Sequence, residues 1–269
     1  RTRIGKLEGR TIHAIENFTT ILELIEHSGL ERLEFSPQTL ELEAVTLLAP
    51  IPQPRRNLIC LGKNYKDHAL ELKHKIKTNL GVPDEPIYFT KLAHRTVGSQ
   101  GSVESYFDRY QTMDYEVELG IIVAKEGKDI PPEKAEEYIF GYTVGNDFCM
   151  RELQTNHIQW FKGKSLDTHS ALGPVIVTAD EIQYPPDLRI TCQVNGEVRQ
   201  DSRTSQLIFD IDRIFSDFSK GTTLLPGDII LTGTPAGVGM GFEPPKFLKP
   251  GDEVVAEIEG IGKLINRIR

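Results

Sequence analysis

Cysteine is scarce in this chain. There are three, Cys60, Cys149 and Cys192, among 269 residues, and none forms a CxxC pair. An odd count without paired spacing offers neither a disulfide framework nor a cysteine-rich metal module. Each cysteine lies in or beside an apolar stretch. Buried free thiols in a reducing compartment, most simply the cytoplasm, are the expectation. Positive charge is also short: 31 Lys and Arg against 39 Asp and Glu leave a net charge of −8. Nucleic acid and anionic membrane both require a basic footprint, so neither is expected as a main partner. No apolar run approaches the roughly 18 residues of a membrane span, and no signal-peptide pattern is present.

Two common catalytic loops are missing. The run Gly233-Thr234-Pro235-Ala236-Gly237-Val238-Gly239-Met240-Gly241 is glycine-rich, but the third glycine of a GxGxxG pattern falls on Phe242, and Pro244-Pro245 follow. No helix N-terminus can then receive a phosphate. There is no Walker lysine–serine pair and no GxSxG elbow, which removes the usual serine-hydrolase route.

What remains is an ordinary globular composition, 39% hydrophobic and 26% charged. The length suits one large domain, or one with a small appendage. Residues 1–50 read as the appendage, with a domain boundary at Ala49-Pro50-Ile51-Pro52-Gln53-Pro54 and the main domain over 51–269. Within the appendage, the pattern around Glu8-Gly9-Arg10 predicts a hairpin. Thr20 and Glu23 have capping-box spacing ahead of an apolar helical face that ends near Gly29. After Gly173 the chain is strand-rich, with a hairpin signal at Asn195-Gly196 and one helix predicted over Ser205 to Phe218.

Chemistry concentrates between Met113 and Asp147. Asp114, Glu116 and Glu118 alternate with apolar residues, and period-two alternation puts them on one face of a strand. Such acids repel one another unless a positive charge lies between them, and a hard divalent cation is the natural one. Asp147 closes a second apolar run, near the start of a predicted helix, and can supply a third carboxylate. On spacing alone a solvated strand face with scattered acids is the simpler reading.

His68 and Glu71 are three residues apart and share one helical face. A carboxylate beside an imidazole orients it and raises its basicity, as a general base requires. On spacing alone, an incidental pair on a surface helix serves equally well. Residues 72–86 are polar and Lys-rich, the composition of a mobile lid. Lys164 lies among aromatics and glycine, either as a surface lysine or as a charge aimed at an anionic substrate.

Taken together, these blocks resemble the fumarylacetoacetate hydrolase superfamily. The resemblance covers about residues 55–269. It runs through Gly62-Lys63-Asn64-Tyr65, His68 and Glu71, Asp114-Tyr115-Glu116-Val117-Glu118-Leu119, Gly145-Asn146-Asp147, Gly163-Lys164-Ser165, Val194-Asn195-Gly196-Glu197, Pro226-Gly227-Asp228 and Thr232-Gly233-Thr234-Pro235. It implies an α+β fold, a mixed β-sandwich roll, with the small N-terminal α+β appendage outside the shared region. Glu116, Glu118 and Asp147 match the ligands of a Mg²⁺ or Mn²⁺ ion. His68 and Glu71 match a water-activating lid dyad, and Lys164 and Gln154 match residues that contact the reacting oxygens. Lys63, Tyr65, Lys91, Arg151 and Thr234 are the expected substrate-binding residues, and a homodimer is the expected assembly.

Two departures from the family pattern concern the pocket wall: Asp147-Phe148-Cys149-Met150-Arg151-Glu152 replaces an Asp-x-Ser-Ala-Arg-Asp pattern, and Leu92 replaces the proline after Lys91. Three carboxylates and a divalent ion sum to about −1, so local cations must receive a small anionic keto acid. The resemblance implies hydrolytic C–C cleavage of an acylpyruvate or fumarylpyruvate. Decarboxylation or keto–enol tautomerisation of oxaloacetate on the same site is the alternative. A catalytically idle scaffold that binds a partner through residues 1–50 is a third reading, and the intact metal and lid residues speak against it.

Overall fold

The computed structural model describes residues 2–72 and 81–269. The centre of the expected lid, 73–80, lies outside the described residues. Two sheets pack face to face. The first has six strands in the spatial order Ser170–Thr178, Ile139–Asp147, Val117–Val123, Ile229–Leu231, Leu58–Gly62 and Ile87–Lys91. The second has five, in the order Glu197–Arg203, Arg189–Val194, Glu253–Ile258, Gly262–Ile268 and Ser102–Val103. Val117, Leu119, Ile121 and Val123 alternate inward and meet Ile190, Cys192, Val254, Ala256 and Leu264 of the second sheet. The three cysteines are buried and free.

The other face of the first sheet carries Leu58, Cys60, Ile122 and Leu231, and Ile25 packs on it. Ile25 belongs to the N-terminal helix Ile21–Glu26. The first fifty residues are therefore fastened to the main sheet through an apolar seam. Strands Gly5–Glu8 and Thr11–Ile15 form the hairpin, and Phe35–Glu41 extends it to three strands. The Thr20 hydroxyl accepts the Glu23 N–H at 3.1 Å, and the Glu23 carboxylate accepts the Thr19 N–H at 2.8 Å. This helix stops short of Gly29, because Ser28 takes the left-handed conformation (φ 48°) and Gly29 opens a 3₁₀ turn.

Two further boundaries differ from the sequence expectation. The helix predicted from Ser205 begins at Ile211, where the Asp210 side chain accepts the Arg213 N–H at 2.8 Å. Asn64 prevents an earlier start, since its side chain takes the Phe209 N–H at 2.8 Å and donates to the Phe209 carbonyl at 3.0 Å. Asp147 does not start a helix. It ends a strand, because its N–H is bonded to the Glu116 carbonyl at 2.8 Å, and the helix waits until Arg151.

Candidate metal centre and active site

Strand register gathers the acids. In the antiparallel pair Val117–Val123 and Ile139–Asp147, Glu118 stands opposite Gly145. Opposite residues point to the same face, and each strand returns to that face every second residue. Two residues on from Gly145 is Asp147, and two residues before Glu118 is Glu116. Oxygens of Glu116, Glu118 and Asp147 consequently lie within 4.8 Å of one another, all buried. Gly145 and Gly120 keep the neighbouring positions of that face small.

Asp114 keeps the same register, opposite Cys149, but the ladder is interrupted at residues 115–116. Its carboxylate is taken by Arg151 Nε at 2.8 Å and by the N–H groups of Gly239 and Met240 at 2.6 and 2.9 Å. Of the three acids in the sequence row, only Glu116 and Glu118 join Asp147.

Cations are distributed unevenly over this group. Lys164 Nζ reaches Glu116 at 2.5 Å and Asp147 at 2.6 Å. Arg151 Nη2 reaches Glu116 at 2.7 Å. Burial would raise the Glu116 carboxyl, but the Lys164 and Arg151 charges hold it down at about 2. Those same carboxylates keep Lys164 an ammonium, outweighing the burial that works against its charge. Glu118 has no cationic partner among the described residues, and its Oε1 is buried without a hydrogen bond. Burial, followed by the charges of Asp147 and Glu116, pushes its carboxyl well above the usual range.

An all-oxygen donor set with one uncompensated oxygen fits a hard divalent cation. The proton on Glu118 then competes with the ion. Because the folded value of Glu118 lies above its ordinary 4.5, its contribution to stability is present below that value and is lost as pH rises through the raised one. A divalent ion removes that loss. Saturating Mn²⁺ should therefore raise the melting temperature, and by more at pH 8 than at pH 5.5; at a hundred times Kd the gain is about 2.7 kcal/mol. A differential scanning experiment at both pH values checks this, and an equal or reversed shift would count against the site.

Beside the acids opens a small pocket lined by Leu61, Gly62, Lys63, His68, Leu72, Phe89, Glu116, Arg151, Gln154, Trp160, Lys164 and Thr234. Phe89 and Trp160 meet edge-on at 5.3 Å and form an apolar wall, and the Trp160 ring occupies the space a side chain at residue 62 would need. His68 projects from the short helix Lys66–Glu71, with Nδ1 2.7 Å from Glu71 Oε1, leaving Nε2 for the pocket. Gln154 Oε1 accepts from Arg151 at 3.0 Å and from the Cys149 thiol at 3.1 Å, so its amide N–H groups remain for a ligand. The Thr234 hydroxyl accepts from Gln200 at 2.7 Å and keeps its own hydrogen to donate. Lys63 lines the pocket half-buried and without an acidic partner among the described residues.

One expected substrate contact, Lys91, has other work. Lys91 is fully buried, and its three ammonium donors go to Asp147, the Phe148 carbonyl (3.1 Å) and the His169 carbonyl (2.6 Å). It supports a carboxylate and has no donor left for a ligand. Arg151 borders the pocket; its Nε and Nη1 are bonded to Asp114 and Gln154, while Nη2 is ion-paired with Glu116 at 2.7 Å but makes no hydrogen bond. Tyr65 is buried and does not line the pocket, and its hydroxyl has no hydrogen-bond partner among the described residues; burial, then the Glu118 charge, raises its phenol above the ordinary value. Sequence reasoning also passed over Asn146, whose side chain holds the Glu116 N–H at 3.0 Å, and Gln200, which ties Thr234 to the Val117 N–H. A polar amide inside an otherwise apolar or alternating strand was the available signal for both.

Comparison with known proteins gives three concordant results. Residues 57–269 match the family model described as fumarylacetoacetate (FAA) hydrolase C-terminal. Oxaloacetate tautomerase YisK of Bacillus subtilis (strain 168) is 46% identical over 227 residues, 84% of this chain and 74% of that protein. Among solved structures, the fumarylacetoacetate hydrolase from psychrophilic Exiguobacterium antarcticum superposes with a TM-score of 0.84 at 39% identity, covering 99% of this chain and 95% of that one. The 5-carboxymethyl-2-hydroxymuconate delta-isomerase from Mycobacterium smegmatis does so with a TM-score of 0.77 at 34% identity, covering 99% and 93%.

Proposed function

Because this chain belongs to the fumarylacetoacetate hydrolase family, we propose that it is a divalent-metal-dependent enzyme that interconverts the keto and enol forms of a small dicarboxylic keto acid, oxaloacetate in the first instance. The observation that carries the choice of reaction is the 46% identity to a protein named for oxaloacetate tautomerisation. The pocket is consistent with it. Lys63, Gln154, Thr234 and Lys164 line one pocket, and their donors suit a compact ligand rich in anionic oxygens.

Glu116, Glu118 and Asp147 would hold the ion. When bound, Mg²⁺ or Mn²⁺ supplies Lewis-acid polarisation of the keto oxygen. The rest falls to side chains. The Lys164 ammonium, kept charged by its two carboxylates, stabilises negative charge that develops on the enolate oxygen. His68, oriented by Glu71, takes a proton at Nε2 from the carbon between the keto group and the distal carboxylate. The proton returns to oxygen in one direction and to carbon in the other, so atoms and charge balance. Lys63 and Thr234 bind carboxylate oxygens, and the Phe89–Trp160 wall limits length.

Hydrolytic cleavage of an acylpyruvate, the reading the sequence favours, stands second. The His68–Glu71 pair at 2.7 Å supports it, since the same imidazole can activate water. A panel with Mn²⁺ separates the two: oxaloacetate followed by enol absorbance, and acetylpyruvate and fumarylpyruvate followed by product identification. Acceleration of enol–keto exchange with no pyruvate release from the acylpyruvates is the expected result. Cleavage of an acylpyruvate alongside unaltered oxaloacetate exchange would install the hydrolase.

A further inference from the structure

The glycine run 237–241 has no phosphate to bind, and its geometry gives it other work. Gly237 N–H donates to both oxygens of Glu71, at 3.0 and 3.3 Å. Two residues on, Gly239 and Met240 N–H donate to Asp114 at 2.6 and 2.9 Å. One short backbone segment thus grips two carboxylates. Glu71 orients His68. Asp114 accepts Arg151 Nε, and Arg151 in turn holds Glu116 at 2.7 Å and the Gln154 amide oxygen at 3.0 Å. The Tyr115 hydroxyl donates to the Gly237 carbonyl at 2.9 Å, and Lys246 N–H donates to the Gly239 carbonyl at 2.9 Å, so the segment is itself pinned.

The period-two glycines follow from this crowding. A Cβ at Gly239 would stand 2.7 Å from Asp114 Oδ1 and close to the Lys246 carbonyl. At Gly241 it would collide with Glu71 Oε2, and at Gly237, whose φ is +103°, with the Arg199 carbonyl. Side chains at 239 and 241 would each displace one of the gripped acids.

We propose that residues 237–241 form a clasp that fixes the His68–Glu71 dyad in position relative to the Glu116, Glu118 and Asp147 group, with Asp114 as its positioning residue. Asp114 does not line the pocket; it acts through Arg151 and the backbone amides. The assignment of a catalytic purpose rests on the dyad's role in the proposed reaction, whereas the clasp itself is a structural statement that is tested separately.

The experiment uses the full chain loaded with Mn²⁺. Asp114→Asn retains size but turns an amide donor toward groups that are all donors. Gly241→Ala pushes on Glu71 alone. Each should lower kcat for oxaloacetate exchange about 10- to 100-fold, as loss of outer-shell partners does; in Gly241→Ala, which meets no residue of the acid group, KM and Mn²⁺ affinity by calorimetry should stay at wild-type values. In a Glu71→Ala background the collision is gone, so Gly241→Ala should cost nothing more. If Gly241→Ala costs the same in both backgrounds, or if its Mn²⁺ affinity falls in step with kcat, the clasp is wrong. Amide hydrogen exchange gives an arm independent of turnover: Gly237 N–H should be protected in wild type and exposed in Glu71→Ala. Unchanged protection there would overturn the clasp as well. A fully active His68→Ala enzyme with the exchange pattern as expected would instead remove the functional reading and leave the clasp standing.

Discussion

Glu118→Gln should abolish both turnover and Mn²⁺ binding while leaving the fold intact. The reasoning separates metal loss from structural loss. Among the described residues Glu118 has no ion-paired cation, and burial with two neighbouring carboxylates favours its protonated form. A glutamine amide has nearly the same shape and polarity, and its oxygen can still accept the Gly233 N–H that Glu118 Oε2 takes at 2.8 Å. What it cannot do is present an anionic oxygen to a divalent ion. Outer-shell substitutions alone cost about 10- to 100-fold in metal affinity, so a lost ligand should exceed that range.

Asp147→Asn is the instructive contrast. Asp147 is paired with both Lys91 and Lys164, all three buried. Removing one partner of a buried ion pair leaves uncompensated charge and costs about 3–5 kcal/mol. Asp147→Asn should therefore lose metal and also melt substantially earlier without it. Calorimetric Mn²⁺ titration and melting of both metal-free variants decide the matter. Retained Mn²⁺ affinity in Glu118→Gln would sink the assignment of the site, and equal melting losses would sink the charge account.

His68→Ala carries the second large effect. Loss of a general base typically costs about 10² to 10⁴ in rate, and oxaloacetate enol–keto exchange should fall by that much. Mn²⁺ affinity should not change, because none of the three acids depends on His68 for a hydrogen bond. Glu71→Gln should fall less, since the amide can still hold the ring, with one acceptor and weaker polarisation. Decarboxylation of oxaloacetate needs chelation and an electron sink more than a base, and whatever decarboxylation the enzyme shows should partly survive. Both rates belong on one preparation with its metal content measured. Exchange that persists in His68→Ala would mean that another group moves the proton.

Much of this site can be read from a line of letters, and the reason is local. The alternation Glu116-Val117-Glu118 places two carboxylates on one strand face, because successive side chains alternate across any strand. The His68–Glu71 spacing works the same way on a helix turn. The N-terminal hairpin, the Thr20 cap and the Asn195-Gly196 turn are likewise short-range, and the chain forms each where expected. The family itself was legible because its blocks recur in order along the chain.

Other features depended on partners far away in sequence. No local rule reveals that Asp147 ends a strand, since that follows from its pairing with Glu116, 31 residues earlier. The late start of the Ile211–Phe218 helix depends on Asn64, 145 residues away. Lys91 reads as a cation available to substrate until the fold surrounds it with three acceptors. The glycine run reads as a failed nucleotide loop until Glu71 and Asp114 arrive at its amides from 166 and 125 residues away. By itself the sequence determined which residue types stand two or three positions apart, and hence which side chains can share a face. The tertiary structure decided which of those charges are already neutralised and which remain for an ion or a ligand, because Coulomb and hydrogen-bond partners are set by distance in space and by burial, neither of which has a signature in local spacing.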